Sequence, residues 1–306
     1  MKLIVPHYYP QFRCIADRCR HSCCIGWEID VDEESLAKYA TLPDALGTEI
    51  RSSLVTEDDC THFRLAEHER CPFLNKQGLC RMILGFGEDI LCQICRDHPR
   101  FVNEFSDRTE MGLGLCCEAA AQLLLSQDKP FHLIVTEDDG VDEPQDEYEQ
   151  YLLGLREQLL GLLEDDSWSF EEQLTNLLDL VGTALPDKSM ATWADIYRGL
   201  ERLGRAWDAI LDTLPQSGKP LGTEWNRPFR NLTAYFLYRH LPATRYDGDI
   251  AEYTAFCVLS VRIVRHLFSV ATQQDMDTLV ELARLYSSEI EYSTENTDTL
   301  LALCRA

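Results

Sequence analysis

Long apolar runs and basic residues are both scarce in this sequence. No stretch of 18 or more apolar residues occurs, so we expect no membrane-spanning helix. The beginning, MKLIVPHYYPQ, has one Lys and a three-residue apolar run before Pro6, which predicts no signal peptide and a cytoplasmic protein. Lys and Arg number 28 against 52 Asp and Glu, a net charge of −24. That charge argues against a nucleic acid partner and favours a lysine-bearing protein, although an acidic surface also serves solubility alone.

Cysteine is nearly absent after residue 117 and dense before it. Of the 13 cysteines, 11 lie at or before Cys117, and only Cys257 and Cys304 follow. In a reducing compartment such a density indicates metal binding or catalysis rather than a disulfide framework. The groups are Cys14-x4-Cys19-x3-Cys23-Cys24, Cys71-x8-Cys80, Cys92-x2-Cys95 and Cys116-Cys117.

Thiolates are ligands for zinc and for iron–sulfur clusters, and a tetrahedral site needs about four of them. The spacing is not that of a zinc finger. Adjacent Cys23 and Cys24 fit a larger cluster more easily than a single zinc ion, so the pattern favours iron–sulfur over zinc. Isolated Cys60, Cys257 and Cys304 are interpreted as structural thiols. A redox role for Cys92-x2-Cys95 remains open, although its flanks lack a βαβ pattern.

The composition changes near residue 120, where turn signals give way to helical periodicity. We predict a mainly α fold, with an irregular, metal-organised, cysteine-rich domain at 1–125, an acidic linker at 126–147 and a helical domain at 148–306. Near the N-terminus, 27–32 alternates like a strand and Asp32 is a predicted cap of the next helix. Further helices are predicted at 113–125, 148–163, 170–182, 191–214, 225–240, 249–270 and 276–288.

Several stretches resemble the flagellin lysine-N-methylase family and, more broadly, cysteine-rich domains that chelate zinc or iron. They are YYPQFRC, CRHSCCIGWEIDVD, CPFLNKQGLCRM, LCQICRDHPRF and MGLGLCCEAA, with a weaker match in NLTAYFLYRHLPAT. The resemblance implies a metal-ligand set of Cys14, Cys19, Cys23, Cys24, Cys71, Cys80, Cys95 and Cys116. Cys92 and Cys117 are extras to the family pattern, and His98 replaces its usual aromatic residue.

The resemblance also implies methyl transfer from S-adenosylmethionine to lysines of a protein such as flagellin, with an iron–sulfur cluster, 4Fe-4S, or zinc as cofactor. Within the matching motifs, Tyr235, Tyr238 and Arg239 are candidate donor-binding residues, and Tyr8, Tyr9 and Trp27 are further aromatic candidates. No Rossmann glycine-rich loop and no C-x3-C-x2-C motif is present, so the catalytic residues are not identified. The alternatives are a non-enzymatic protein that binds a metal or cluster, a metal-stapled interaction module, and a thiol redox enzyme.

Overall fold

The chain forms two compact units, one of which is inserted into the sequence of the other. The computed structural model describes residues 1–26, 28–57, 59–141, 144–246 and 248–305. Met1–Phe12 and Phe101–Ala306 make up the first unit, called the helical unit here. Arg13–Arg100 make up the second, called the cysteine unit.

Helices predominate, as the sequence predicts. The strands are β1 (Lys2–Pro6), β2 (Leu54–Glu57), β3 (Cys60–Phe63), β4 (Arg100–Glu104), β5 (Arg108–Leu113) and β6 (Leu133–Asp138). The α-helices are α1 (Glu33–Ala40), α2 (Asp44–Ser52), α3 (Arg81–Phe86), α4 (Gln93–Asp97), α5 (Glu118–Leu125), α6 (Glu147–Leu162), α7 (Phe170–Leu180), α8 (Met190–Gly199), α9 (Ala206–Leu211), α10 (Asn226–His240), α11 (Ile250–Val270), α12 (Met276–Tyr286) and α13 (Thr294–Cys304).

A four-stranded sheet joins the two sequence segments of the helical unit. Its strand order is β4-β5-β1-β6, with β1 parallel to β5 and antiparallel to β6. The predicted linker at 126–147 is therefore wrong for β6, which pairs with β1 along its whole length. The unit boundaries fall after residues 12 and 100 rather than at 125 and 147.

The helical core of the first unit forms where Leu and aromatic residues recur at helical spacing. Helices α6, α7, α10, α11 and α12 agree with the predicted ranges to within about two residues at most ends. Helix α7 begins with a capping box between Ser169 and Glu172, which satisfies otherwise unpaired backbone N–H groups. Among the described helices, α11 alone is long and apolar enough to cross a membrane, but 72% of its most apolar window is buried within the protein. We assign it to the core.

The cysteine unit is more regular than predicted. Helix α1 begins at the predicted place, with Asp32 accepting a hydrogen bond from the N–H of Ser35. The predicted strand at 27–32 is not one in its described part, because Asp30 makes only an isolated bridge to His62 of the β2–β3 hairpin. Trp27 lies outside the described residues. The predicted helix at 113–125 is correct only from Glu118, since Leu113 ends β5.

Candidate metal centre

Backbone contacts bring distant cysteines of the cysteine unit together. The N–H of Cys71 donates to the carbonyl of Cys24 at 2.8 Å, across 47 residues of sequence. Leu74 bridges to Cys80, and its N–H donates to the carbonyl of Cys71 at 3.1 Å, so a short turn places Cys71 near Cys80. Cys80 and Cys92 then directly precede α3 and α4.

These cysteines line the small core of the cysteine unit. Cys71 and Cys92 are buried among core residues that include Tyr39 and Phe73. Cys24, Cys80 and Cys95 are half-buried and pack against the same core. The sulfur atoms therefore have an apolar wall on one side, which is the usual environment of a protein-bound thiolate metal site.

Electrostatic interactions connect the five thiols. Burial is the main cause that raises the pKa of Cys71 to about 11, and negative charge on Cys24, Cys80 and Cys92 acts in the same direction. Burial likewise raises the pKa of Cys80, with Cys24 and Cys92 acting in the same direction. The pKa of Cys95 is raised by its hydrogen bond with Cys92, by burial and by the charges of Cys92, Cys24 and Cys71. We call Cys24, Cys71, Cys80, Cys92 and Cys95 the thiol cluster.

In two hydrogen-bonded thiol pairs, Cys23–Cys24 and Cys92–Cys95, one thiol has a lowered pKa. The hydrogen bond from Cys23 lowers the pKa of Cys24 to about 7 against the opposing effect of burial, with help from Ser22 and Arg70. The hydrogen bond from Cys95 similarly lowers the pKa of Cys92. One member of each pair is thus predisposed to the thiolate form, which is the form that binds metals.

The donor chemistry of the thiol cluster fits a soft metal or an iron–sulfur cluster. Among the residues that the structure describes, no three His, Cys, Asp or Glu side chains stand in an arrangement that would hold a metal ion. None of the 13 cysteines, all of which are described, forms a disulfide.

The structure groups some predicted ligands and separates others. Cys24, Cys71, Cys80 and Cys95 lie in the thiol cluster, and Cys23 is hydrogen-bonded to it. Cys14 and Cys19 lie in the same unit but make local contacts, to the N–H of Ala16 at 3.4 Å and to the carbonyl of His21 at 3.2 Å respectively. Cys92, treated as an extra in the sequence, is central to the cluster. The Cys-x2-Cys spacing of Cys92 and Cys95 is the sequence signal that points to its role.

Cys116 belongs to the helical unit. It is buried beside Tyr292, to which it is hydrogen-bonded, and near the cationic Arg239. Burial is the main cause that raises the pKa of Cys116 to about 12, so this thiol is protonated at neutral pH. Its surroundings are those of a structural core thiol.

The predicted donor-binding residues lie in buried polar networks of the helical unit. Tyr235 donates to Glu291 at 2.9 Å and accepts from Arg239 at 2.9 Å, while Arg239 and His240 contact Glu291 at 3.2 and 2.7 Å. Burial alone would raise the pKa of Glu291, but Arg239 and His240 lower it, so its carboxylate is charged. Tyr235, Arg239, His240 and Glu291 are called the Glu291 network below.

Tyr238 and the N-terminal tyrosines are engaged elsewhere in the same unit. The hydroxyl of Tyr238 donates to the carbonyl of Met111 at 3.2 Å and lies 3.4 Å from that of Ile4. Tyr8 is buried, and Tyr9 donates to the sulfur of Met111 at 2.7 Å. The polar atoms of Tyr235, Tyr238 and Arg239, the predicted donor-binding residues, thus all contact protein groups.

The fold and site together define a mainly helical protein that carries an inserted, thiol-rich unit. Residues 110–306 match the model of the FliB lysine N-methylase C-terminal domain, and the chain belongs to that family. The match covers most of the helical unit and confirms the family resemblance found in the motifs.

The relatives compared with this chain share a quarter or less of their residues with it over the matched region. The chain is 24% identical over 127 residues to the Lysine-N-methylase of Salmonella typhimurium strain LT2, a match that covers 40% of this chain and 32% of that protein. It is 24% identical over 127 residues to the Flagellar biosynthetic protein FliU of Salmonella muenchen, covering 40% of this chain and 75% of that protein. The match to the first relative thus spans about a third of its length. No solved structure matches the chain.

Proposed function

We propose that this protein is a cytoplasmic lysine N-methyltransferase that uses S-adenosylmethionine and acts on a protein such as flagellin. The observation that carries the proposal is the match of residues 110–306 to the lysine N-methylase domain. The names of two relatives, Lysine-N-methylase and Flagellar biosynthetic protein FliU, support the reaction and the substrate class.

The reaction requires one bond to break as another forms. The uncharged ε-amine attacks the methyl carbon, the sulfonium–methyl bond breaks, and the products are methyllysine and S-adenosylhomocysteine. A free lysine has a pKa of roughly 10.4, so the enzyme must favour loss of its proton through desolvation or a nearby base. Holding the amine and the methyl group in line lowers the activation barrier further.

The thiol cluster is the proposed cofactor site. Cys24, Cys71, Cys80, Cys92 and Cys95, with Cys23 beside them, would hold an iron–sulfur cluster, 4Fe-4S, or zinc. The soft donor set and the two predisposed thiolates support this assignment. Such a group, when bound, would order the segments that carry its ligands, because metal-binding free energy is also folding free energy.

Charge supports a lysine-bearing substrate. The helical unit holds 36 Asp and Glu against 17 Lys and Arg, whereas the cysteine unit holds 16 against 11. The excess of negative charge therefore lies mainly in the unit that matches the methylase family. A field of this sign raises the local concentration of a cationic protein.

Transfer of labelled methyl groups tests the proposal. Purified, metal-replete protein is incubated with flagellin and methyl-labelled S-adenosylmethionine, and we expect label on lysine ε-amines after hydrolysis. Calorimetry should detect donor binding by the same preparation. Absence of both label and donor binding would favour the alternative, a non-enzymatic protein that binds a metal or cluster, which the thiol cluster by itself also supports.

A further inference from the structure

The first two turns of α6 present two tyrosine rings to solvent. Tyr148 is 37% exposed and Tyr151 is 60% exposed. Their ring centroids lie 6.4 Å apart and the ring planes are inclined by 50°. Large aromatic side chains are usually buried, so two adjacent exposed rings on one helix face are a feature that solubility does not explain.

A carboxylate accompanies the rings. Glu147 lies four residues before Tyr151, the spacing that makes two side chains neighbours on a helix surface. Among the described residues, no salt bridge engages Glu147. We call Glu147, Tyr148 and Tyr151 the tyrosine face.

Basic groups near α6 are already neutralised by protein carboxylates. Arg156, the one basic residue of the helix, is buried in a bidentate pair with Glu110 at 2.6 and 2.7 Å. Arg245, which reaches Glu149 at 3.2 Å, and Arg108, which binds Asp107 at 2.7 Å, are also paired. The segment 136–172 contains 14 acidic residues and no other basic residue, so it carries a strongly negative charge.

The start of the helix is well formed, which keeps the tyrosine face in place. The carboxylate of Asp146 accepts hydrogen bonds from the N–H groups of Tyr148 and Glu149, at 2.8 and 3.4 Å. This cap satisfies the first turn, and the following turns of α6 pack into the core through Leu152, Leu155 and Leu159. The rings therefore project from an ordered turn.

We infer that the tyrosine face docks a lysine side chain of the protein substrate, an inference that rests on the proposed function. Aromatic ring faces attract ammonium groups, and a flanking carboxylate adds a charge of the complementary sign. Methylated lysine keeps its charge and gains contact with the rings, so the same face also accepts the reaction product. The expected occupant is a segment with exposed lysines and few acidic residues.

Variants at exposed positions test the inference without threatening the fold. Tyr151→Ala and Tyr148→Ala/Tyr151→Ala remove the rings, Glu147→Gln removes the charge, and Tyr151→Phe keeps a ring. Trp168→Ala is the matched control, because Trp168 is also an exposed aromatic residue of the same unit, at 44%. The probe is purified monomeric flagellin, whose affinity is measured by biolayer interferometry without the methyl donor.

Loss of Tyr151 should weaken flagellin binding about 2- to 5-fold, and the double variant should weaken it further. Tyr151→Phe and Trp168→Ala should bind as the unaltered protein does. In the methylation assay the ring variants should raise the KM for flagellin in the same proportion, with kcat and the KM for S-adenosylmethionine unchanged.

The binding and methylation assays separate the two proposals. If the unaltered protein methylates flagellin and the ring variants bind it with undiminished affinity, the docking inference is overturned and the proposed function stands. If the unaltered protein binds flagellin through the tyrosine face but transfers no label, the proposed function fails and the docking inference stands. No binding of flagellin by the unaltered protein would overturn the docking inference.

Discussion

The carboxylate of Asp32 accepts a hydrogen bond from the backbone N–H of Gln93 at 2.8 Å, across 61 residues of sequence. The same carboxylate accepts from the N–H and the hydroxyl of Ser35, both at 2.9 Å. It therefore caps α1 and holds the first residue of α4, the helix that follows Cys92 and contains Cys95. The Asp32 side chain thus connects the N-terminus of α1 to the helix that positions Cys92 and Cys95.

Replacing Asp32 with Asn should destabilise the protein by about 1–2 kcal/mol at pH 7, because an amide nitrogen would replace the charged oxygen that accepts from Gln93 and from the Ser35 hydroxyl. Burial by itself raises the pKa of Asp32, but hydrogen bonds from Gln93 and Ser35 outweigh it and lower the pKa to about 2. A carboxyl group with a lowered folded-state pKa stabilises the fold above its unfolded value of about 3.9 and loses that effect as pH falls toward 2. Urea unfolding of both proteins at pH 7 and pH 3 measures the difference.

Glu33→Gln is the control for this substitution, since Glu33 is exposed in the same turn and caps nothing. It should change the free energy of unfolding by less than about 0.5 kcal/mol. A destabilisation by Asp32→Asn that stays constant between pH 7 and pH 3 would contradict the role assigned to its charge.

Replacing Cys92 with Ser should remove most of the bound metal, although Cys92 lies outside the family ligand pattern. Metal content per chain, with an absorption spectrum of anaerobically purified protein, is the measurement. Visible absorption with iron and sulfide indicates an iron–sulfur cluster, and a colourless protein with stoichiometric zinc indicates zinc. Loss of one thiolate should also lower stability, because metal binding and folding are coupled.

Cys60→Ser and Cys116→Ser serve as the matched controls. Cys60 is an exposed thiol of the same unit, and Cys116 is buried beside Tyr292 in the other unit. Both variants should keep their metal. Full metal content in the Cys92 variant, or loss of metal on replacement of Cys116, would require a different ligand set.

Replacing one partner of the buried ion pair Glu110–Arg156 should lower the stability more than replacing both partners together would suggest. Both side chains are at most 4% exposed. Either Glu110→Gln or Arg156→Met leaves one buried charge without its partner, at an expected cost of about 3–5 kcal/mol. The double variant should cost less than the sum of the two, as urea unfolding would show, whereas strict additivity would mean that the two charges do not interact.

Tyr235→Phe distinguishes a structural from a donor-binding role for the Glu291 network. It removes the hydroxyl that donates to Glu291 and accepts from Arg239, so we expect a loss of about 1–3 kcal/mol in stability. The KM for S-adenosylmethionine should stay the same. A raised donor KM at unchanged stability would instead assign Tyr235 to the donor site, as the sequence motifs suggested.

Sequence periodicity predicted most helices of the helical unit because the signals are local. Leucines at helical spacing and caps such as Ser169 lie within a few residues of the helix that they define. The sheet was not predicted, since β1 gains its partners only from β5 and β6, more than a hundred residues away. Helix α13 was missed because its first half, TENTDT, is polar.

The sequence predicted that cysteines form the candidate site, but it did not predict every cysteine of the thiol cluster. Spacing and compartment predicted a metal site among the dense cysteines, and four of the eight ligands that the family resemblance implies lie in the thiol cluster. The position of Cys116 depends on which unit its segment joins, and that is decided by pairing of β5 with β1 rather than by nearby residues. The central place of Cys92 depends likewise on Asp32, which holds the start of α4.

The position of β1 has a practical meaning for anyone who expresses the methylase-like part alone. A fragment cut at the family match, residues 110–306, would omit the strand that lies between β5 and β6. Each of those strands would expose an unpaired edge, and unpaired edges promote aggregation. Supplying residues 1–12 on a linker, or as a separate peptide, should restore solubility. In the nascent chain, β1 emerges more than a hundred residues before β5 and β6, so it must wait for both of them before its sheet can close.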